Sequence, residues 1–439
     1  MATILKQIHP RRWVSGLWRN PDFVKLWGSL TITHFGGQVT FLALPLTAAL
    51  MLNASPFEVG VLTALEALPF ALLGLPAGVM VDRFPKLPII IGADVARALA
   101  LAAVPVCAWF GMLSMTLLYV VGFLVGTGSI IGWPAYQVFM TERVGRGNLV
   151  EANAKIGISD SAAQLVGPGI AGALIQWLTA PFAILLDAFC FLASAMMLRG
   201  IPPAPSDAPK AKARSLVSEM REGLDVVWSN PTLRALVWSI GIWQVFRHAF
   251  IAIVVLYAAR ELRFWPGHVG ALFMMAGVGS LAAATLTARL NAHFGMGRTM
   301  LGGIAGTGVA WLAMASAMGP EWLASLLFAG SLFLLDLSAM VFFINYLTLR
   351  QAVSPDRLLG RVTSTMIALT VAAAPLGGLA GGWTAEHIGL RATLAIAGAG
   401  ALVLAALVVQ FSPIAQMHEM PGPHEPAGTE SVAEELAGD

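Results

Sequence analysis

The chain has 439 residues, of which 57% are hydrophobic and only 11% charged. Soluble domains carry roughly 25% charged residues, so this composition excludes a water-soluble globular protein and points to a chain solvated by lipid. A formal net charge of +2 excludes the strongly basic balance of a nucleic-acid binder, and two cysteines exclude a disulfide framework.

In chain order, residues 1–22 form a basic cytoplasmic segment with no cleavable signal peptide. A membrane span needs about 20 apolar residues. Twelve are predicted, at about 24–51, 58–81, 88–110, 114–139, 153–177 and 181–199, then 233–257, 268–289, 299–318, 322–347, 361–385 and 391–411. They divide the chain into two six-helix bundles, 23–199 and 233–412, joined by a cytoplasmic linker at 200–232. The linker opens Pro-rich at 201–209 and continues as an amphipathic helix through Leu216, Met220, Leu224 and Val227, which recur at helical spacing. Residues 413–439 carry several Glu and no Lys or Arg, and read as a disordered acidic cytoplasmic tail. Cys107 and Cys190 fall inside spans, so neither a metal site nor a disulfide is expected.

The two halves repeat each other at an offset of about 210 residues. Asn20-Pro21 returns as Asn230-Pro231. Pro56, Val59 and Gly60 return as Pro266, Val269 and Gly270, and Tyr136 returns as Tyr346. Two parallel membrane halves are the pattern of a carrier working between two rocking bundles. Of the 26 Lys and Arg, 22 fall on the N-terminal side of the spans. The positive-inside rule therefore places both termini and the linker in the cytoplasm.

At the end of the second span stands Gly78-Val-Met-Val-Asp82-Arg83-Phe-Pro-Lys86. This resembles the signature loop of the major facilitator superfamily, departing from it at Pro85 and Leu87. Further phrases, including Ala93-Asp94-x-x-Arg97, Pro134-Ala-Tyr-Gln137 and Asp356-Arg-Leu-Leu-Gly360-Arg361, resemble its enterobactin-exporter-like and macrolide-efflux-like drug-efflux branch. The resemblance implies an all-α fold of two six-helix bundles. It also implies a conformational latch in which Asp82 meets the start of the eleventh span near Gly360 and Arg361, with Arg83, Lys86, Asp94 and Arg97 in supporting positions. A carboxylate at a helix N-terminus gains a few tenths to about 1 kcal/mol. Gly167-Pro168-x-x-Ala171-Gly172 in the fifth span resembles the motif that marks exporting antiporters in that family. Ordinary small-residue helix packing is its alternative reading.

Ionisable groups inside spans are costly and need a reason. The 210-residue offset maps His34 onto Gln244 and Gln38 onto His248, with Arg247 and Trp243 beside them. Helices one and seven line the central cavity in this superfamily, so these six residues are expected on the substrate path, Trp243 stacking on Arg247 or on a ligand. Pairing of Arg247 and His248 within the bundle is the alternative. Glu66 and Asp336 are the expected proton carriers, while Asp160 and Asp187 are expected to pack or cap.

No phosphate-binding glycine loop, metal cluster or nucleophile elbow is present, so an enzyme, a cofactor and direct use of ATP are not expected. The sequence reads as an inner-membrane carrier, monomeric and surrounded by lipid, exporting an amphipathic small molecule such as a drug or siderophore in exchange for protons. Lysophospholipid flipping and small-molecule uptake are alternatives on the same fold. A non-transporting sensor or scaffold is a third reading, whose only candidate signalling segments are the short central loop and the acidic C-terminus.

Overall fold

The computed structural model describes residues 16–202, 216–355 and 358–416, and every element among the described residues is helical. Helices α1 (Pro21–Met51), α2 (Pro56–Arg83), α3 (Lys86–Trp109), α4 (Met115–Val144), α5 (Leu149–Leu178) and α6 (Ala180–Arg199) make the first half. A short helix α7 (Leu216–Ser229) follows. The second half holds α8 (Pro231–Leu256), α9 (Pro266–Phe294), α10 (Met296–Ala315), α11 (Glu321–Val353), α12 (Leu359–Val371), α13 (Ala374–Ile388) and α14 (Leu390–Phe411). The predicted segment before residue 16, the Pro-rich linker and the acidic tail beyond residue 416 lie outside the described residues. So do the side chain of Asp82 and the surroundings of Gly78 and Gly360.

Ten helical segments are long and apolar enough to cross a membrane, two fewer than the expected count. The helices at the expected fifth and ninth spans, α5 and α10, fall short. On α5 the cause is its polar run through Asn153, Lys155, Asp160 and Gln164; on α10, Arg298 and the glycines at 297, 302, 303, 306 and 308 lower the mean hydropathy. The eleventh span is broken between α12 and α13. Pro375 removes a backbone donor there and disfavours helical geometry in the residue before it.

The repeated Asn-Pro pairs are helix starts. The Asn20 side chain accepts from the Asp22 and Phe23 N–H groups at 3.0 and 3.2 Å, and Asn230 from Thr232 and Leu233 at 2.9 and 3.2 Å. Proline at the first helical position loses no hydrogen bond. Ser55 and Glu58 cap α2 reciprocally, at 3.2 and 2.7 Å. Outward faces of the bundle carry exposed Leu72, Leu99, Trp177, Trp322 and Leu326, as lipid-facing surfaces do.

Chain direction gives the bundle a terminal end, where α1 starts and α14 finishes, and a far end opposite. The apolar core differs between them. Toward the far end one continuous cluster joins both halves, from Leu42, Val59 and Leu118 to Tyr257, Val269 and Phe328. Toward the terminal end it splits in two: Phe23, Tyr136 and Phe139 belong to the first half, Trp243, Phe342 and Tyr346 to the second. Among the described residues, the apolar core is therefore shared between the halves at the far end and divided between them at the terminal end.

Candidate functional site

The far-end seal is built from glycines. A Cβ on Gly60 of α2 would stand 2.6 Å from the Gly378 carbonyl oxygen and 2.7 Å from the Gly382 Cα on α13. A Cβ on Gly270 of α9 would meet Gly172 Cα of α5 at 2.7 Å and press on the Pro168 carbonyl. The repeat partners Gly60 and Gly270 thus occupy equivalent crossings, where only a missing side chain lets backbones approach this closely. The predicted antiporter-like motif supplies one of these surfaces: Pro168, Ala171 and Gly172 are buried, and Gly167 seats the Gln38 side chain of α1.

Polar contacts lock the same end. Glu386 on α13 accepts from the Ser55 hydroxyl at 2.7 Å and the Phe57 N–H at 2.9 Å, at the start of α2. Arg260 donates to the Ala49 and Ala54 carbonyls at 3.0 and 2.8 Å. Both contacts cross between halves. Glu386→Gln should therefore shift the equilibrium toward a state with the far end open, because a neutral amide accepts more weakly than a carboxylate. Pulsed dipolar distances between spin labels on α2 and α13 would register the longer population; an unchanged distribution would refute the latch.

Beneath the seal lies a cavity of about 570 Å³, within the range of small-molecule sites. Apolar and aromatic side chains dominate its wall, among them Phe41, Phe70, Trp133, Tyr136 and Phe191. Ser29, Leu30, Ile90 and Leu198 carry the lining toward the terminal end, and Ile251 and Val255 of α8 come from the second half.

Of the predicted substrate-path residues, His34 and Gln38 line this cavity. His34 Nδ1 lies 3.1 Å from Asp160 of α5, which also accepts from the Gln164 side chain at 2.8 Å. Expected only to pack or cap, Asp160 is thus one half of a histidine–carboxylate couple facing the cavity. The corresponding residues on α8 do not line it. Trp243 is buried, donates to the Thr307 hydroxyl at 3.2 Å and carries the Arg247 guanidinium 5.4 Å from its ring centre. His248 Nδ1 sits 3.0 Å from the Gln244 carbonyl, with its Cβ against Gly377. Arg247 lies one turn before Ile251 and two before Val255, on the α8 face that reaches the cavity, and interacts electrostatically with Asp336 of α11. The repeat made α1 and α8 alike in sequence; the packing put His34 and Gln38 of α1 in the cavity wall, and on α8 Ile251 and Val255 in place of Gln244 and His248.

The two expected proton carriers separate likewise. Glu66 lines the cavity and, among the described residues, has neither a hydrogen-bond nor an ion-pair partner; Gly122 of α4 packs on its side-chain stem and Gly126 on its backbone carbonyl. Asp336 is not in the cavity wall and faces Arg247 instead.

Of the expected latch residues, Arg83, Lys86, Asp94, Arg97 and Arg361 are described. Arg83 is exposed, and Lys86 approaches Glu142 at 3.8 Å near the terminal end. Arg361 pairs with Glu222 of α7, while Gly223 rests against Thr365 and the Arg361 carbonyl, so the linker helix occupies the start of α12. Asp94 and Arg97 lie inside the first half. Arg97 Nη2 is 2.5 Å from Asp94 Oδ1, and its guanidinium sits 4.1 Å over the Phe191 ring. The Ser194 hydroxyl donates to Asp94 at 2.6 Å, and the Thr40 hydroxyl donates to Asp187 of α6. The polar cluster around Asp187 escaped the sequence reading, although Asp94 and Arg97 at a spacing of three on one helix face were its visible sign.

A family model described as transmembrane secretion effector matches residues 16–438. Multidrug efflux pump Tap of Mycolicibacterium fortuitum is 28% identical over 399 residues, covering 85% of this chain and 91% of its own. The MFS-type transporter YfiS of Bacillus subtilis is 27% identical, covering 87% and 91%. Macrolide efflux protein A of Enterococcus faecalis is 27% identical over 47% of this chain and 63% of its own. Among solved structures, the nucleoside transporter NupG superposes with a TM-score of 0.71 at 12% identity, covering 89% of this chain and 99% of its own. A bacterial homologue of the iron transporter ferroportin, in an inward-facing state, gives 0.71 at 17% identity, covering 91% and 100%. At these identities the structural likeness speaks for the fold.

Proposed function

Since the chain belongs to the transmembrane secretion effector family of the major facilitator superfamily, and is a multi-pass membrane transporter rather than an enzyme, we propose that it exports a lipophilic cation from the cytoplasm in exchange for protons. The observation that carries this reading is the cavity itself. Its aromatic wall suits a flat apolar body, and its carboxyls (Glu66, Asp94, Asp160 and Asp187) outnumber its basic groups, Arg97 and His34. A cation brings the missing positive charge; an anion has only Arg97 and His34 to meet it, each already beside a carboxylate. Arg247, the residue that favoured an anionic siderophore, is engaged by Trp243 and Asp336. Relatives named for multidrug and macrolide efflux support export of a drug-like compound.

Glu66 is the proton carrier in this reading. It stands in the cavity wall without a counter-charge, so a proton and a cationic substrate compete for it, which is the requirement of exchange. The two bundles, 23–199 and 233–412, rock about the far-end seal in the inner membrane, with both termini cytoplasmic and a single chain sufficient. In that orientation the described state opens to the cytoplasm.

Proteoliposomes holding the full chain, loaded with a pH-sensitive dye and given ethidium as probe, provide the test. The wild type should move protons in response to ethidium. Glu66→Gln should abolish that movement while ethidium still binds, measured by fluorescence polarisation. Proton movement of wild-type size and pH dependence in Glu66→Gln would overturn the assignment.

A further inference from the structure

In the cavity wall, α1, α3, α4 and α6 bring together two carboxyls and one guanidinium. Asp94 and Asp187 are 3% and 1% exposed, and both border the cavity with Arg97, Thr40 and Ser194. Arg97 is committed to Asp94: they touch at 2.5 Å, and Ser194 completes that carboxylate. Asp187 is left with less. Its Oδ2 accepts from Thr40, no cation lies within ion-pair distance among the described residues, and its buried Oδ1 has no hydrogen-bond partner. That oxygen points at Gly36 of α1, where any Cβ would collide with it.

With both carboxyls ionised the cluster carries a net charge of −1 in a low-dielectric interior. One hydroxyl donor does not compensate a buried carboxylate, and such groups are found paired or neutral. The groups that face Asp187 supply no second cation. From α3 comes Arg97, already held by Asp94, from α1 Gly36 and Thr40, and from its own helix Cys190. The glycines Gly128 and Gly132 of α4 bring only space, which the Arg97 side chain fills.

We propose that Asp187 holds one exchangeable proton, making the Asp94–Arg97–Asp187 cluster a proton-binding site of the cavity distinct from Glu66. Loss of that proton leaves an anion for which Arg97 is the nearest available partner, so Arg97 is drawn from Asp94 toward Asp187. Because α6 carries Asp187 and α3 carries Arg97, the exchange pulls on two helices that frame the cavity. The site deepens the proton-exchange reading but stands on its own geometry, and its test needs no substrate.

The full chain is reconstituted in lipid and titrated with base while the carbonyl band of protonated carboxylic acids is followed by infrared spectroscopy. The wild type should lose the intensity of one more protonated carboxyl than Asp187→Asn, and Glu66→Gln should retain the Asp187 contribution. Thr40→Val keeps every charge but removes the hydrogen bond, and should displace the Asp187 component of the band. A band identical in wild type and Asp187→Asn overturns the proposal. If Asp187→Asn does not fold, an undisplaced band in Thr40→Val does so. An Asp187 band in a protein whose wild type moves no protons with ethidium supports this site and counts against proton-coupled export.

Discussion

Replacing Gly60 with valine should hold the far end of the bundle apart and eliminate transport. A Cβ at this position would lie 2.6 Å from one backbone atom of α13 and 2.7 Å from another, and backbone atoms cannot rotate away as a side chain would. Forcing extra methyl groups into a well-packed contact costs about 1–3 kcal/mol. Here that cost falls only on the conformation in which α2 and α13 touch. The fold of each half should survive, because Gly60 packs across the seam rather than into its own bundle. Gly270→Val should act alike through α5, while Gly330→Val, at a position with open space around it, should be silent. Cross-linking of cysteine pairs introduced at the far ends of α2 and α13 would read the result. Cross-linking at the wild-type rate in Gly60→Val would show that this crossing does not control closure.

Arg97→Ala should be among the most damaging substitutions of any charged residue in the chain. It removes the guanidinium that touches Asp94 and acts on Asp187, leaving two buried carboxyls with only hydroxyl donors. Breaking a buried pair from one side typically costs about 3–5 kcal/mol. It would also empty the space that Gly128 and Gly132 leave for the side chain. Arg97→Lys should fall between, since an ammonium keeps the charge but not the planar contact with the Phe191 ring. Thermal unfolding of the purified protein in detergent provides the measurement, with the exposed Arg83→Ala as reference. A wild-type melting temperature in Arg97→Ala would mean that the cluster contributes nothing to the fold.

The repeat makes clear which parts of this architecture were legible beforehand. Asn20 and Asn230 recur because both halves start a helix with the same cap, and Gly60 and Gly270 recur because both halves need the same close crossing. Such features depend on local geometry, and local geometry leaves a mark at fixed spacing. Depth was legible too: His34 and Gln38 were expected on the substrate path and line the cavity. Rotation was not. Gln244 and His248 share a helix position with His34 and Gln38, yet His248 turns against Gly377 and Trp243 turns to Thr307. A helix surrounded by protein on nearly every side carries no amphipathic stripe to show which face meets the cavity.

Composition, hydropathy and the 210-residue repeat therefore determined the class of this protein: a helical membrane carrier in two related halves, with its loops and caps at known places. These properties follow from single residues meeting lipid, water or their own helix backbone. Only the tertiary structure decided which carboxyl stands alone in the cavity, which is matched by Arg97 and which seals the far end. Asp94, Arg97 and Thr40 are separated from Asp187 by 90 residues or more in the chain, and Ser55 from Glu386 by 331. A charge inside a membrane protein takes its role from the partners that other helices bring to it, and no spacing within one helix records them.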